Sequence, residues 1–192
     1  MKETFVKTTD SLKRRVFTSI LSGDIDDSLE GLDKTVEALV SADKNDIVVL
    51  YVQSSGGSNC TAQTLRSLIE LCKAPVITVA SGICWSAATI LWLSGDYKLF
   101  VDNTTWLFHS SGVSHNGYVN NVISYAQAQK DSCDTMMRDA YTGFLSDDQI
   151  SYILDGCNDL WMTDPDMEEI YEDLDMANMS VDQAINLIKS GF

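Results

Sequence analysis

Apolar positions along this 192-residue chain follow several distinct periods. In "SLEGLDKTVEALVSA", Leu29, Leu32, Val36, Leu39 and Val40 share one helical face and predict an amphipathic helix. "DIVVLYV", Asp46 to Val52, is a continuous β-branched and aromatic run, the mark of a strand buried on both faces. "QSSGGSN" breaks that run, and "CTAQTLRSLIELCK" returns to helical spacing until Pro75 stops it. "VITVA" predicts a second buried strand, followed by a tight glycine turn. "WSAATILWLSG" predicts a short helix ending at Gly95. Two more strands fit "YKLFV" and "TWLFH". After the loop "SSGVSHNGY", a polar–apolar pattern from Val119 to Tyr141 predicts one extended helix, and short helices and loops fill the remainder. Buried strands alternating with helices mean an α/β fold with a mainly parallel sheet. In such folds ligands sit at the carboxyl ends of the strands. Those ends carry Ser54–Gly57, Ser81–Ser86 and His109.

Composition narrows the function classes. The length suits one domain over residues 1–192, and two prolines with no Gly/Ser-rich linker or repeat give no boundary. Net charge is −15, with twelve acidic residues and only Lys189 of opposite sign from Asp147 onward. The basic end is the N-terminus, with Lys2, Lys7, Lys13, Arg14 and Arg15. That balance argues against nucleic acid or an anionic membrane as partner and reads as a solvated acidic face. Cys60, Cys72, Cys84, Cys133 and Cys157 are scattered, odd in number and never spaced C-x-x-C. They suit neither a disulfide framework nor a zinc site, and fit a reducing cytoplasm. "MKETFVKTTDSLKRR" has no apolar signal-peptide core, and the longest apolar run, Ala87–Leu93, is too short to span a bilayer. The expectation is a cytoplasmic protein with no metal, cofactor or membrane partner.

The candidate chemistry centres on "SGICWSAATILW", where Cys84 and Ser86 are both possible nucleophiles. A serine starting a helix after a strand gains from the free N–H groups of the helix end, and the Ala87 N–H could serve an oxyanion. A serine in that place is also the commonest helix cap. Only His109 and His115 could act as a histidine base. His109 ends an apolar strand run, whereas His115 lies in the polar loop "VSHNG". Taken alone, a strand-end histidine is more often structural than catalytic. "SSGG" permits positive φ and close backbone approach, but it lacks the lysine of a phosphate-binding loop.

The order strand–SSGG–helix–strand–SGxxxSAA–helix–strand–His is more specific than any of its parts. It resembles the ClpP family of self-compartmentalised serine peptidases, within the ClpP/crotonase fold of repeated β-α units and a protruding handle helix. That family has "SPGG", "G-x-A-x-S-M-G/A-A" and a strand ending in "HQP". This chain has "SSGG" (Ser54–Gly57), "GICWSAA" (Gly82–Ala88) and "FHSSG" (Phe108–Gly112). "RRVFTSILSGDIDD" (Arg14–Asp27), Gly117 and "YTG" (Tyr141–Gly143) extend the similarity to the handle, residues 110–144 or so. The family's catalytic aspartate in "DRFLS" matches Asp159 in "GCNDLWMT".

The resemblance implies Ser86 as nucleophile, His109 as base and Asp159 as the orienting carboxylate. It implies backbone N–H groups of Gly56 and Ala87 in the oxyanion hole, and Gly57, Ser110 and Gly112 along a peptide or unfolded-protein substrate paired as an added strand. It also implies a homo-oligomer, a heptameric ring or double ring, and an AAA+ unfoldase partner. Cys84 then falls to packing as a small hydrophobe. Departures are Ser55 for the family's proline, Trp85 for a small residue beside the nucleophile, and Cys157–Asn158 where relatives often carry an Asp-Arg pair. The acidic segment over residues 164–192 also departs, with "SVDQAINLIKSGF" expected as an extra helix. These departures keep a catalytically silent ring subunit or scaffold in view. A crotonase-type acyl-CoA enzyme explains the fold but leaves Ser86, His109 and Asp159 a coincidence, and an acidic chain suits an anionic cofactor badly.

Overall fold

The computed structural model describes residues 1–9, 14–174 and 179–190; Lys13 and the last two residues of "SVDQAINLIKSGF" lie outside them. In chain order the elements are β1 (Lys2–Thr9), β2 (Arg15–Ser22), α1 (Asp33–Ser41), β3 (Ile47–Ser54), α2 (Asn59–Glu70), β4 (Val76–Trp85) and α3 (Ala87–Leu93). They continue with β5 (Tyr97–Phe100), β6 (Thr105–Phe108), α4 (Val119–Tyr141), α5 (Asp147–Leu154), β7 (Leu160–Met162), α6 (Asp164–Asp173) and α7 (Val181–Ser190).

The strands form one sheet in the order β1-β2-β3-β4-β6-β7, with β5 also paired to β4. The β2–β3, β3–β4, β4–β5 and β4–β6 pairs are parallel, and only the two edge pairs, β1–β2 and β6–β7, are antiparallel. The α/β class and mainly parallel sheet expected from the sequence are therefore present. β3 shows why its run is unbroken. Val48 and Leu50 pack toward α1 and α2, beside Ala38, Leu39 and Ile69. Ile47 and Val49 face the other way, with Ile77, Val79, Leu99 and Ala184 of α7. The helix expected near the C-terminus thus supplies the second apolar cover that a two-sided strand needs.

Four readings from sequence shift. The first helix begins at Asp33 rather than near Ser28, because Gly31 turns the chain at φ +82° and leaves Leu32 as a buried residue ahead of the first turn. Val40, assigned to its apolar face, is two-thirds exposed. β1, β2 and β7 are strands that the pattern does not announce. β1 is an edge strand of mixed polarity, and β7, at three residues, is too short to show a period. Most consequentially, β4 does not end at Ala80. It bends at Gly82 (φ +70°) and runs on to Trp85, changing partner from β5 at Ile77–Ala80 to β6 at Ile83–Trp85. That bend carries the end of the strand into the region where the candidate chemistry lies.

All seven residues of α3 are buried, and Trp92 at its core donates from Nε1 to the Leu99 carbonyl at 2.8 Å. Truncating a side chain of this size to alanine costs about 3–5 kcal/mol in a packed core. α4 is different in kind. No residue is buried before Cys133, and only its last turns, through Met137 and Tyr141, enter the core.

Arg15 and Asp46 fasten β2 to β3 at the start of both strands. The Arg15 backbone N–H and Nε both donate to Asp46 Oδ1, at 3.1 and 2.9 Å, and its Nη2 pairs with Oδ2. Hydrogen bonds from Arg15 above all hold the buried Asp46 carboxyl at about 2, below the ordinary 3.8. A depressed carboxyl value means a stabilising contribution that is complete above the unfolded value and lost as pH falls through the folded one. The contribution is therefore expected to vanish between pH 4 and pH 2, roughly. Denaturant titrations across that range should show a steeper loss of stability for wild type than for Asp46→Asn.

Candidate active site

Sheet register assembles the site. In the parallel β4–β6 pair Trp85 lies opposite Leu107, and the next N–H, that of Ser86, donates to the Leu107 carbonyl at 2.7 Å. In the antiparallel β6–β7 pair Phe108 lies opposite Leu160, so the residues just beyond, His109 and Asp159, face each other. Three strands thus deliver Ser86, His109 and Asp159 to one end of the sheet.

Ser86 occupies the corner between β4 and α3 at φ +57°, ψ −129°, a conformation that L residues adopt only when their surroundings impose it. Besides the bond to Leu107, its carbonyl accepts from the Thr89 N–H at 2.9 Å and from Thr89 Oγ1 at 2.7 Å. Thr89 Oγ1 in turn lies 3.2 Å from the Tyr141 hydroxyl, tying this corner to the end of α4. The Ser86 side chain does not cap α3. Its Oγ lies 2.6 Å from His109 Nε2, a short hydrogen bond between a hydroxyl and an imidazole that can take its proton. His109 Nδ1 faces Asp159 Oδ1 at 3.8 Å, outside direct hydrogen-bond range and within reach of the carboxylate charge.

The segment ahead of Asp159 is shaped by backbone bonds. Asn158 N–H and Nδ2 both donate to the Tyr152 carbonyl, at 3.3 and 3.1 Å, and Cys157 turns the chain at φ +51°. Arg138 of α4 pairs with Asp155 at 2.6 Å. Cys157 and Asn158 therefore form the turn that presents Asp159, without the Asp-Arg pair common in relatives.

"SSGG" stands against the same corner. A Cβ on Gly56 would lie 2.6 Å from Ser86 Cβ and 2.7 Å from the Trp85 carbonyl oxygen, so only glycine fits there. Its N–H, however, donates to the buried Ser54 Oγ at 3.1 Å, which engages one of the two donors expected for an oxyanion. The Ala87 N–H is the first of α3, among those a helix leaves without an intrahelical acceptor. Gly57 forms a bridge with Ile25, in which the Ile25 N–H donates to the Gly56 carbonyl and the Ser58 N–H to the Ile25 carbonyl, each at 2.8 Å. Ser55, in the position of the family's proline, bonds to Asp24. Ser110 and Gly112 follow His109 in a segment that belongs to no strand, leaving main-chain groups on that side of the site.

Cys84 is fully buried, and burial pushes its thiol far above the ordinary value, so it is packing. Trp85 meets Trp161 edge to face, ring centres 5.3 Å apart, and donates from Nε1 to Thr105 Oγ1 at 3.1 Å. His115 is exposed and stacks on Tyr125. Among the described residues no group of three or more His, Cys, Asp or Glu could hold a metal ion, and no helix is long and apolar enough to cross a membrane. Trp161 and Asn59 also stand at this end of the sheet without any motif in the sequence to mark them; Asn59 is signalled only by its place two residues after Gly57.

The Clp protease family model matches residues 3–171. The ATP-dependent Clp protease proteolytic subunit 3 of Rhodococcus jostii (strain RHA1) is 33% identical over 92 residues, 46% of each chain. The ATP-dependent Clp protease proteolytic subunit of Leuconostoc citreum (strain KM20) is 27% identical over 101 residues, 51% of this chain and 50% of that one. The chain thus spans about half the length of the curated relatives it matches. A ClpP1 mutant from Listeria monocytogenes shares the fold at 20% identity, with a TM-score of 0.63 over 80% of this chain and 86% of the other.

Gly56→Ala is expected to push the turn away from Ser86 and cut the rate of Ser86 labelling by a fluorophosphonate at least tenfold or so, since a displaced turn deforms the corner. Iodoacetamide at pH 9 is expected to alkylate the exposed Cys60 and Cys157 in the native protein and to spare Cys84 until denaturant is added; mass mapping of the five cysteines reads this directly.

Proposed function

The chain belongs to the Clp protease family, and from that premise we propose that it is a serine-type endopeptidase acting on peptides or unfolded proteins. The carrying observation is the 2.6 Å contact of Ser86 Oγ with His109 Nε2 at a corner where the serine caps nothing. Ser86 attacks the scissile carbonyl as His109 Nε2 takes its proton, and the same imidazolium later gives that proton to the leaving amine. Asp159, facing Nδ1, stabilises the imidazolium through its charge at 3.8 Å, and closing the gap by about 1 Å gives a direct hydrogen bond. The Ala87 N–H receives the developing oxyanion, a donor whose loss costs roughly 3 kcal/mol of transition-state stabilisation. Gly56 contributes by close packing, and by its N–H once Ser54 releases it. An extended substrate pairs its main chain along Ser110 and Gly112, with Gly57 on the opposite side, which explains tolerance of many sequences.

The relatives are named as subunits of ATP-dependent proteases. That supports reading this chain as one subunit of a homo-oligomer, a heptameric ring or double ring enclosing the site, fed by an ATP-driven unfoldase of the AAA+ class. Five free cysteines fit a reducing, cytoplasmic setting.

Two observations favour a second reading, a catalytically silent ring subunit: the open His109–Asp159 distance and the Gly56 N–H held by Ser54. The two readings separate experimentally. An active enzyme takes a fluorophosphonate label that Ser86→Ala abolishes and hydrolyses short unstructured peptides, with Asp159→Ala slower by about a hundredfold or more. Assembled wild-type protein that takes no label and cleaves no peptide would establish the silent subunit instead.

A further inference from the structure

A groove of about 350 Å³ opens along the segment that follows His109. One wall is the segment after His109, through Ser110, Ser111 and Val113; the other is α4, through Ile123 and Lys130; Cys157 closes the end. The two walls have little else in common. The first belongs to no helix or strand, and on α4 the lining runs from Ile123, well ahead of the buried end, to Asp134, next to the buried Cys133.

Asn59 ties the two elements together. It is the first residue of α2, two residues past Gly57, and its side-chain amide reaches both the segment after His109 and α4. Nδ2 donates to Ser111 Oγ at 2.7 Å and to Cys133 Sγ at 3.5 Å. An –NH₂ group has two hydrogens, so one amide can hold both acceptors at once. Cys133 is buried and is the first residue of α4 fixed in the core. Ser111 sits on the unpaired segment. The amide therefore references the loose wall to the fixed one, and both to the glycine turn beside Ser86.

We infer that Asn59 is a positioning residue that sets the width of this groove, and through it the affinity for a peptide lying along residues 110–113. The inference rests on the peptidase reading above. The Asn59 amide bonds to Ser111 and Cys133 and not to Ser86, His109 or Asp159, so its loss alters substrate seating rather than the serine's reactivity. Alanine removes both bonds. Leucine keeps the size but has no polar atom, so a near-isosteric change removes both bonds as well. Ser111→Ala removes one of the two.

The test compares a small probe with an extended substrate on the full chain. For Asn59→Ala and Asn59→Leu, KM for a decapeptide substrate is expected to rise about tenfold with kcat within about twofold, the pattern of lost ground-state binding. Fluorophosphonate labelling of Ser86, which needs no groove, is expected to stay within about twofold of wild type. Ser111→Ala is expected to raise KM by about threefold, and the Asn59→Ala/Ser111→Ala pair no further than Asn59→Ala alone, because the two share a bond. Ser111 lies outside every helix and strand, so that variant carries the test where Asn59→Ala lowers the folded yield. Unchanged KM in labelled, active variants overturns the role of Asn59 alone, as does a parallel fall in labelling and hydrolysis. Absence of label on wild type overturns the peptidase reading and this inference with it.

Discussion

Everything at the site depends on one forced corner. Ser86 must leave β4 and enter α3 within a single residue, and it does so at φ +57°, where a side chain is normally unfavourable. Such a conformation costs on the order of 1–3 kcal/mol and persists only where its surroundings over-determine it. Three hydrogen bonds do that here, one from the Ser86 N–H to β6 and two from Thr89 to its carbonyl. The wholly buried α3 behind the corner prevents relaxation in that direction. Gly56 blocks it from the other, packed so closely that a methyl group would overlap Ser86. The strain therefore serves to aim one hydroxyl at one imidazole.

The second requirement is that the imidazole and the carboxylate arrive at the same place. Neither comes from the element that carries the serine. They come from β6 and β7, whose antiparallel register puts the residue after Phe108 opposite the residue before Leu160. A slip of one residue would turn the side chains of β7 to the other face and separate His109 from Asp159. The register is held by burial: Trp106, Phe108 and Met162 all point into the main core, leaving Leu107 and Trp161 on the opposite face beside Trp85. Trp85, the large residue beside Ser86, adds to this register by packing on Trp161.

The shared family region ends at residue 171, and α7 lies beyond it. In this chain α7 completes the cover over Ile47, Val49, Ile77 and Val79, and Arg14 donates to the Lys189 carbonyl at 3.1 Å, joining the start of β2 to the last turn of that helix. The central strands β3 and β4 are thereby covered on both faces within one chain.

By itself the sequence determined the alternation of buried strands and helices and the full extent of α4, and its motif order and spacing nominated Ser86, His109 and Asp159 as candidates. These were legible because hydrophobic period is local, and because motifs such as "SSGG" and "GICWSAA" occupy contiguous residues. It did not show β7, a three-residue strand defined by its partner rather than by any period of its own. Nor did it show that "SG" at Ser81–Gly82 is a bend inside β4 and not its end, since glycine punctuates both. Whether Ser86 capped a helix or met a histidine, and whether Gly56 offered its N–H or gave it to Ser54, turned on distances of a few ångströms between segments far apart in the chain. Only the tertiary structure decided those points, because a hydrogen bond is made by register and packing, and neither is written in the order of residues.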